Sequence, residues 1–144
     1  MLVSNSIPPP VEAPARRLGV FEAFGLEVEY LLGDGETLDV APKADELLEA
    51  AAGALTDEFE NGDVAWNNEL ALHVIEFKCN GPRPSLAGLG SAFADNVKLA
   101  NDKLGREGLR LMPTAMHPWM EPNDVRLWPH GTRVIYDTFD RIFS

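Results

Sequence analysis

Gly25-Leu26-Glu27-Val28-Glu29-Tyr30 constrains this chain more than any other segment, because it sets two acids two residues apart inside an apolar run. Successive strand residues point to opposite faces. Read as a strand, the segment puts Phe24, Leu26, Val28, Tyr30 and Leu32 on one face and Glu27 and Glu29 on the other. The two carboxylates then stand about 6.6 Å apart along the strand. Strands are poor in Glu, and like charges this close repel. A hard divalent cation such as Mg²⁺, held by carboxylate oxygens, offsets the repulsion. The alternative is a half-exposed strand with a solvated acidic face, the commoner situation for acids.

The rest of the chain supplies further strands and the helices to cover them. The first strand is expected over about Leu18 to Leu32, closed by the turn signal Gly33-Asp34-Gly35. A short segment, Thr37 to Ala41, leads to a helix opened by Pro42, with Leu47, Leu48, Ala51 and Leu55 as its stripe. Asn61-Gly62-Asp63 reads as a turn, and a second strand as about Val64 to Cys79, ended by Pro82 and Pro84. Ser85 is the expected N-cap of a helix carrying Leu86, Leu89, Phe93, Val97, Ala100 and Leu104, spaced 3, 4, 4, 3 and 4. Gly105 or Gly108 ends it. Leu109 to His117 reads as a third strand, with Pro113 marking an edge or bulge. Residues 133–144 read as a helix with Ile135, Phe139, Ile142 and Phe143 on one side. Residues 1–17, with Pro8-Pro9-Pro10 and Pro14, read as a disordered tail. No internal repeat is evident.

A site built from acids raises the question of what the whole molecule attracts. Twelve basic against twenty-three acidic residues give a net charge of −11. That balance argues against nucleic acid and anionic membrane as partners and suits a site that concentrates cations. A length of 144 residues fits one domain, able to bury roughly 68% of its unfolded surface. A single cysteine, Cys79, excludes an internal disulfide framework and suits a reducing, cytoplasmic setting. No apolar run approaches the ~18 residues of a membrane helix, and no signal-peptide pattern is seen at the amino terminus.

A second informative stretch is Asn67-Asn68-Glu69-Leu70-Ala71-Leu72-His73-Val74-Ile75-Glu76-Phe77-Lys78. Glu76 sits among Val74, Ile75 and Phe77, where an ionised carboxylate needs a cation, either Lys78 or a metal. Glu69 precedes it by seven residues, an odd separation that in an unbroken strand sends the two to opposite faces. They converge only if Glu69 lies before the strand proper or a bulge intervenes; otherwise Glu69 is an exposed loop acid. His73 is read as a satisfied sheet histidine.

Phe24 to Leu32, then Asn68-Glu69-Leu70 and Val74-Ile75-Glu76-Phe77-Lys78, then Pro113-Thr114-Ala115-Met116-His117-Pro118-Trp119, together resemble the amino-terminal region of the glutamate–cysteine ligase family. The likeness is to its second bacterial group, the carboxylate–amine ligases, and covers about Phe21 to Phe143. The resemblance implies an α+β, glutamine-synthetase-like fold: a curved, mainly antiparallel sheet with helices on one face and Mg²⁺-ATP on the other. It implies ATP-dependent formation of an acyl phosphate from a substrate carboxylate, which an amine then converts to an amide. By resemblance Glu27, Glu29, Glu69 and Glu76 are metal-binding acids for Mg²⁺ or Mn²⁺, with Glu76 central to catalysis. His117 falls by resemblance near the substrate region; equally, it is a turn histidine packed on Trp119. Such chemistry needs no nucleophilic side chain, so Cys79 is read as a buried small hydrophobe.

The departure from the family is length. Its members continue beyond this point, no Gly-rich phosphate loop is seen, and Arg126, Arg133 and Arg141 match no family motif. Residues 18–144 are therefore expected to be the incomplete amino-terminal part of a ligase catalytic domain. Expected partners are a small-molecule carboxylate and amine, and either a second copy of the chain or a missing carboxy-terminal half. A truncated, non-catalytic module that binds metal or a partner at its sheet edge is the alternative; a metal-dependent hydrolase using the same acids is a third.

Overall fold

A computed structural model describes residues 17–114, 116–131 and 133–143. The expected tail, apart from Arg17, lies outside the described residues. The strands are β1 (Glu27–Asp34), β2 (Glu58–Asn61), β3 (Val64–Asn68), β4 (Val74–Cys79) and β5 (Leu109–Met112). The helices are α1 (Ala44–Ala52), α2 (Leu89–Leu104) and α3 (Arg133–Phe143). The strands form one five-stranded sheet in the order β2-β3-β4-β1-β5, every pair antiparallel. The architecture is α+β, as expected.

Alternation along the strands sorts the side chains. Leu32 in β1, Val64 and Trp66 in β3, Ile75 and Phe77 in β4 and Leu111 in β5 face the main core. Leu47 and Leu48 of α1 and Leu89, Phe93, Ala100 and Leu104 of α2 close over them. Phe59, Trp66, Phe77 and Tyr30 form an edge-to-face chain across the sheet, with successive ring centroids 5.2, 5.2 and 5.5 Å apart. Such pairs add about 0.5–1.5 kcal/mol each beyond their buried area.

One polar network is sealed into this layer. Asn96 on α2 accepts from Trp66 Nε1 at 2.7 Å and from Asn61 Nδ2 at 3.0 Å, and donates to Ala92 O at 2.8 Å. Replacing Asn96 by Leu leaves the buried Trp66 N–H without an acceptor. We expect the change to cost about 1–3 kcal/mol of stability, read as a lower denaturant midpoint at unchanged m-value.

Several element boundaries differ from expectation, each for a local reason. The first strand starts at Glu27 rather than Leu18 and runs through Gly33-Asp34; the turn follows it at residues 35–37. Asp34 Oδ1 sets that turn by accepting the Glu36 and Thr37 N–H groups at 2.9 and 2.8 Å. Gly33 and Gly35 serve close packing: a Cβ on Gly33 would lie 2.7 Å from Met112 Sδ, and one on Gly35 2.7 Å from Gly108 O. The expected strand over Val64 to Cys79 is two strands, β3 and β4, joined by residues 69–73. The unforeseen β2 pairs with β3 through a turn at Gly62, whose φ is +66°.

The second long helix starts at Leu89, after Gly88 at φ +82°, and Ser85 instead accepts the Ala87 N–H at 3.1 Å within the preceding loop. Leu86 and Leu55 fall outside the helices and stay about half exposed, at 51% and 55%. The third strand stops at Met112 because Pro113 has no N–H to donate. Its outer edge is partly blunted: Leu111 N–H donates to Asn101 Oδ1 at 2.9 Å instead of waiting for another strand. Helix α3 forms as expected, but Val134, Ile135, Phe139 and Ile142 remain exposed.

Candidate metal centre

The sheet face opposite the helices carries the acids. Glu29 in β1 lies directly across from Glu76 in β4, Glu76 from Asn67 in β3, and Asn67 from Glu58 in β2. The neighbouring row reads Glu27, Lys78, Ala65 and Glu60. Directly opposed residues in antiparallel strands have Cα atoms only about 4.5–5.5 Å apart. The alternation that places Glu27 and Glu29 together is thus extended sideways by register to Glu76.

Glu69 meets the condition for convergence, because it lies in the loop before β4 rather than within the strand. Its Oε2 accepts the Leu70 N–H at 3.3 Å. Burial raises the Glu69 carboxyl above the ordinary carboxylate range, and the charges of Glu29 and Glu27 push it the same way, against the Leu70 N–H and Lys78. Glu76 is likewise raised, first by burial and then by Glu27, Glu69 and Glu29, with Lys78 opposing. Each of these two acids therefore feels the charge of Glu27 and Glu29.

Lys78 is the one basic residue in strands β1 to β4. Its Nζ lies 3.7 Å from Glu58 Oε2, at a partly exposed site. It does not neutralise the cluster, since Glu69 and Glu76 remain raised in its presence. Among the described residues no three His, Cys, Asp or Glu side chains are already gathered as metal ligands. The donors themselves suit a hard cation, being carboxylate oxygens. Asn67, next to Glu76 in the row, adds a buried Oδ1 that has no hydrogen-bond partner. In donor chemistry alone these side chains suit Mg²⁺ or Mn²⁺.

Glu58 and Glu60 share the acid face and were not anticipated. Glu58-Phe59-Glu60 repeats the acid–apolar–acid alternation of Glu27-Val28-Glu29, so the signal that marked β1 was available for β2 as well.

His117 stands apart from the acids. It is 8% exposed, its Nε2 lies 2.7 Å from Leu38 O, and its Nδ1 faces the Trp119 and Met120 N–H groups at 3.4 and 3.1 Å. A donor at Nε2 and an acceptor at Nδ1 describe a neutral imidazole holding the His-Pro turn, with its ring 4.9 Å from Trp119. That geometry matches the turn-histidine alternative. The ring also walls a cleft of about 570 Å³ lined by Asp39, Trp119, Glu121, Asp124 and Arg126. A second cleft, about 500 Å³, opens beside Glu27, Glu29, Tyr30, Pro113 and Thr114. His73 is 3% exposed, and burial lowers its pKa, so it stays neutral. Cys79 is buried in the core, as expected of a small hydrophobe.

The raised acids fix the sign of a pH effect. A carboxyl whose pKa is higher in the folded than in the unfolded state binds more protons when folded, so stability falls as pH rises through the interval between the two values. For Glu69 and Glu76 that interval starts at the ordinary value of 4.5 and extends upward. In the absence of divalent cations, Glu69→Gln/Glu76→Gln should lose less melting temperature than the unsubstituted chain as pH rises from 4.5 to neutrality. Saturating Mg²⁺ should remove most of the difference. Parallel melting profiles with and without the substitutions would refute the coupling.

Residues 23–142 match the family described as glutamate-cysteine ligase family 2. An uncharacterized protein of Archaeoglobus fulgidus is similar to this chain, 32% identical over 121 residues. The match covers 84% of this chain and 32% of that protein, so the chain spans about a third of the length of its relative. No described helix is long and apolar enough to cross a membrane.

Proposed function

This chain belongs to glutamate–cysteine ligase family 2, and from that premise we propose that it serves an ATP-dependent carboxylate–amine ligase as the cation-binding part of its active site. The observation that carries the reading is the placement of Glu29 directly across from Glu76 on the open face of the sheet, with Glu27 and Glu69 close enough to raise Glu76 further. Like charges opposed in a sheet are destabilising, and a site that holds Mg²⁺ against nucleotide phosphates gives a reason to keep them.

In the proposed reaction a substrate carboxylate oxygen attacks the γ-phosphorus of ATP and ADP leaves. The amine nitrogen then attacks the acyl phosphate carbon, the C–N bond forms, and inorganic phosphate departs. Glu27, Glu29, Glu69 and Glu76 would hold a Mg²⁺ ion, which would supply charge neutralisation at the phosphate oxygens, and the sheet keeps three of these acids at fixed register. Lys78 is the lone base on strands β1 to β4 and is turned toward Glu58. We therefore place the groups that orient the γ-phosphate outside these strands, and expect residues 17–143 to bind the cation without turning over by themselves. A cytoplasmic setting accords with the single, buried Cys79.

The reaction class is tested by ADP release from an assembly that contains this chain. Release that requires a carboxylate and an amine together supports the ligase; release of product from an amide or ester without ATP would point to a hydrolase built on the same acids.

A further inference from the structure

The loop that carries Glu69 is held in place by a much later segment. Residues 69–73 lie outside both β3 and β4. Leu72 N–H donates to Arg126 O at 2.8 Å, Trp128 N–H donates to Leu70 O at 2.9 Å, and Ala71 forms an antiparallel bridge with Leu127. Ala44 N–H, at the start of α1, donates to Leu72 O at 2.9 Å. The later segment is itself anchored. Trp128 is 1% exposed and belongs to the main core. Its ring meets His130 edge-on at 5.1 Å, and His130 Nε2 lies 2.9 Å from Asp45 Oδ2 in the first turn of α1.

We propose that residues 126–128 are a positioning strap for the metal centre, with Trp128 as the anchor that sets the Glu69 carboxylate toward Glu27 and Glu29. The proposal rests on Glu69 being a cation ligand. A ligand on a five-residue connection does not have its geometry supplied by a strand ladder, as Glu27, Glu29 and Glu76 do. The two backbone hydrogen bonds to residues 126–128, which together make the Ala71–Leu127 bridge, replace that ladder. Preorganisation of a ligand by its supporting shell governs how tightly a metal is held. Trp128 is a positioning residue and not a ligand. Its Nε1 is buried without a hydrogen-bond partner, so its contribution is bulk and shape, which Phe largely keeps and Leu does not.

The test is Mn²⁺ affinity, read from the paramagnetic resonance signal of free Mn²⁺ at a temperature well below every melting transition. Trp128→Leu should weaken binding about tenfold, the scale seen when a supporting shell is lost, and Trp128→Phe should recover most of the loss. In a Glu69→Gln background Trp128→Leu should have no further effect on affinity, yet lower the melting temperature as much as it does with Glu69 present. A role in stability alone would not produce that split. Equal weakening by Trp128→Leu in both backgrounds, or none in either, overturns the strap while leaving Glu69 as a ligand. Unchanged affinity in Glu69→Gln alone overturns the ligand assignment, and the strap with it. Should Trp128→Leu fail to fold, the unsubstituted protein decides. Divalent cation should then slow hydrogen exchange at the Leu72 and Trp128 amides, and Glu69→Gln should abolish the slowing; exchange unaffected by the cation overturns the proposal.

Discussion

Mg²⁺ titrated into the Glu27→Gln/Glu29→Gln variant should give no binding heat and no rise in melting temperature, whereas the unsubstituted chain should show both. The two acids project from one strand onto the open face, and Glu29 lies directly across from Glu76. Removing both charges takes away two of the four proposed oxygen donors and relieves repulsion on the remaining pair. Two opposite consequences follow. Without metal the double variant should be the more stable protein, by roughly 0.2–1 kcal/mol for each opposed like-charge pair relieved. With metal the order should reverse, because a ligand at a hundred times its Kd adds about 2.7 kcal/mol to the state that binds it. The crossing of the two stability curves as Mg²⁺ is added is the diagnostic result. Retained Mg²⁺ affinity in the double variant would remove the site assignment, and unchanged cation-free stability would show that the acids do not interact.

Glu76→Gln should abolish catalysis in any assembly where this chain supports ATP-dependent amide formation. The expected fall in kcat is on the order of 10³ or more, the scale for losing a group that stabilises transition-state charge in phosphoryl transfer. Glu76 is singled out by position: it stands between Glu29 and Asn67 in the row of opposed residues. The substitution changes charge and hardly changes shape. It should therefore leave the fold intact and raise cation-free stability at neutral pH, since the acid it replaces is held above its ordinary pKa mainly by burial. The companion expectation is that the 144-residue chain alone releases no ADP in the presence of a carboxylate and an amine. Supplying the counterpart of the remainder of its longer relative should start the release. Full activity with Glu76→Gln, or robust amide synthesis by the chain alone, would defeat this reading.

What could be read without coordinates was whatever depended on near neighbours in the chain. The sheet face of Glu27 and Glu29 followed from period-2 geometry, and α2 followed from the spacing of Leu89, Phe93, Val97, Ala100 and Leu104. The turn at Asn61-Gly62-Asp63 was legible for the same reason, whereas Cys79 in the core followed from the family resemblance, whose chemistry needs no thiol. Boundaries were less so. Ser85 has the chemistry of an N-cap, but Gly88 at φ +82° delays the helix. Glu58-Phe59-Glu60 carries the same alternation as β1 in only three residues, and its pairing with β3 is what makes it a strand.

The sequence by itself determined that Glu27 and Glu29 share one face of a strand, and that Glu69 can join Glu76 there only from before the strand or across a bulge. Those statements follow from covalent geometry, in which a strand residue's facing depends only on its parity. The tertiary structure alone decided which acids meet. Glu29 opposes Glu76 in the register the sheet adopts, which buries Val28, Tyr30, Leu32, Ile75 and Phe77 on one side and excludes any one-residue slip. The loop that carries Glu69 is pinned through backbone hydrogen bonds to Arg126 and Trp128, far along the chain. His117 turns its two ring nitrogens to the backbone of residues 38, 119 and 120 for the same kind of reason. Pairing between distant segments is chosen by the burial and hydrogen bonding of the whole domain, and no local pattern carries that information.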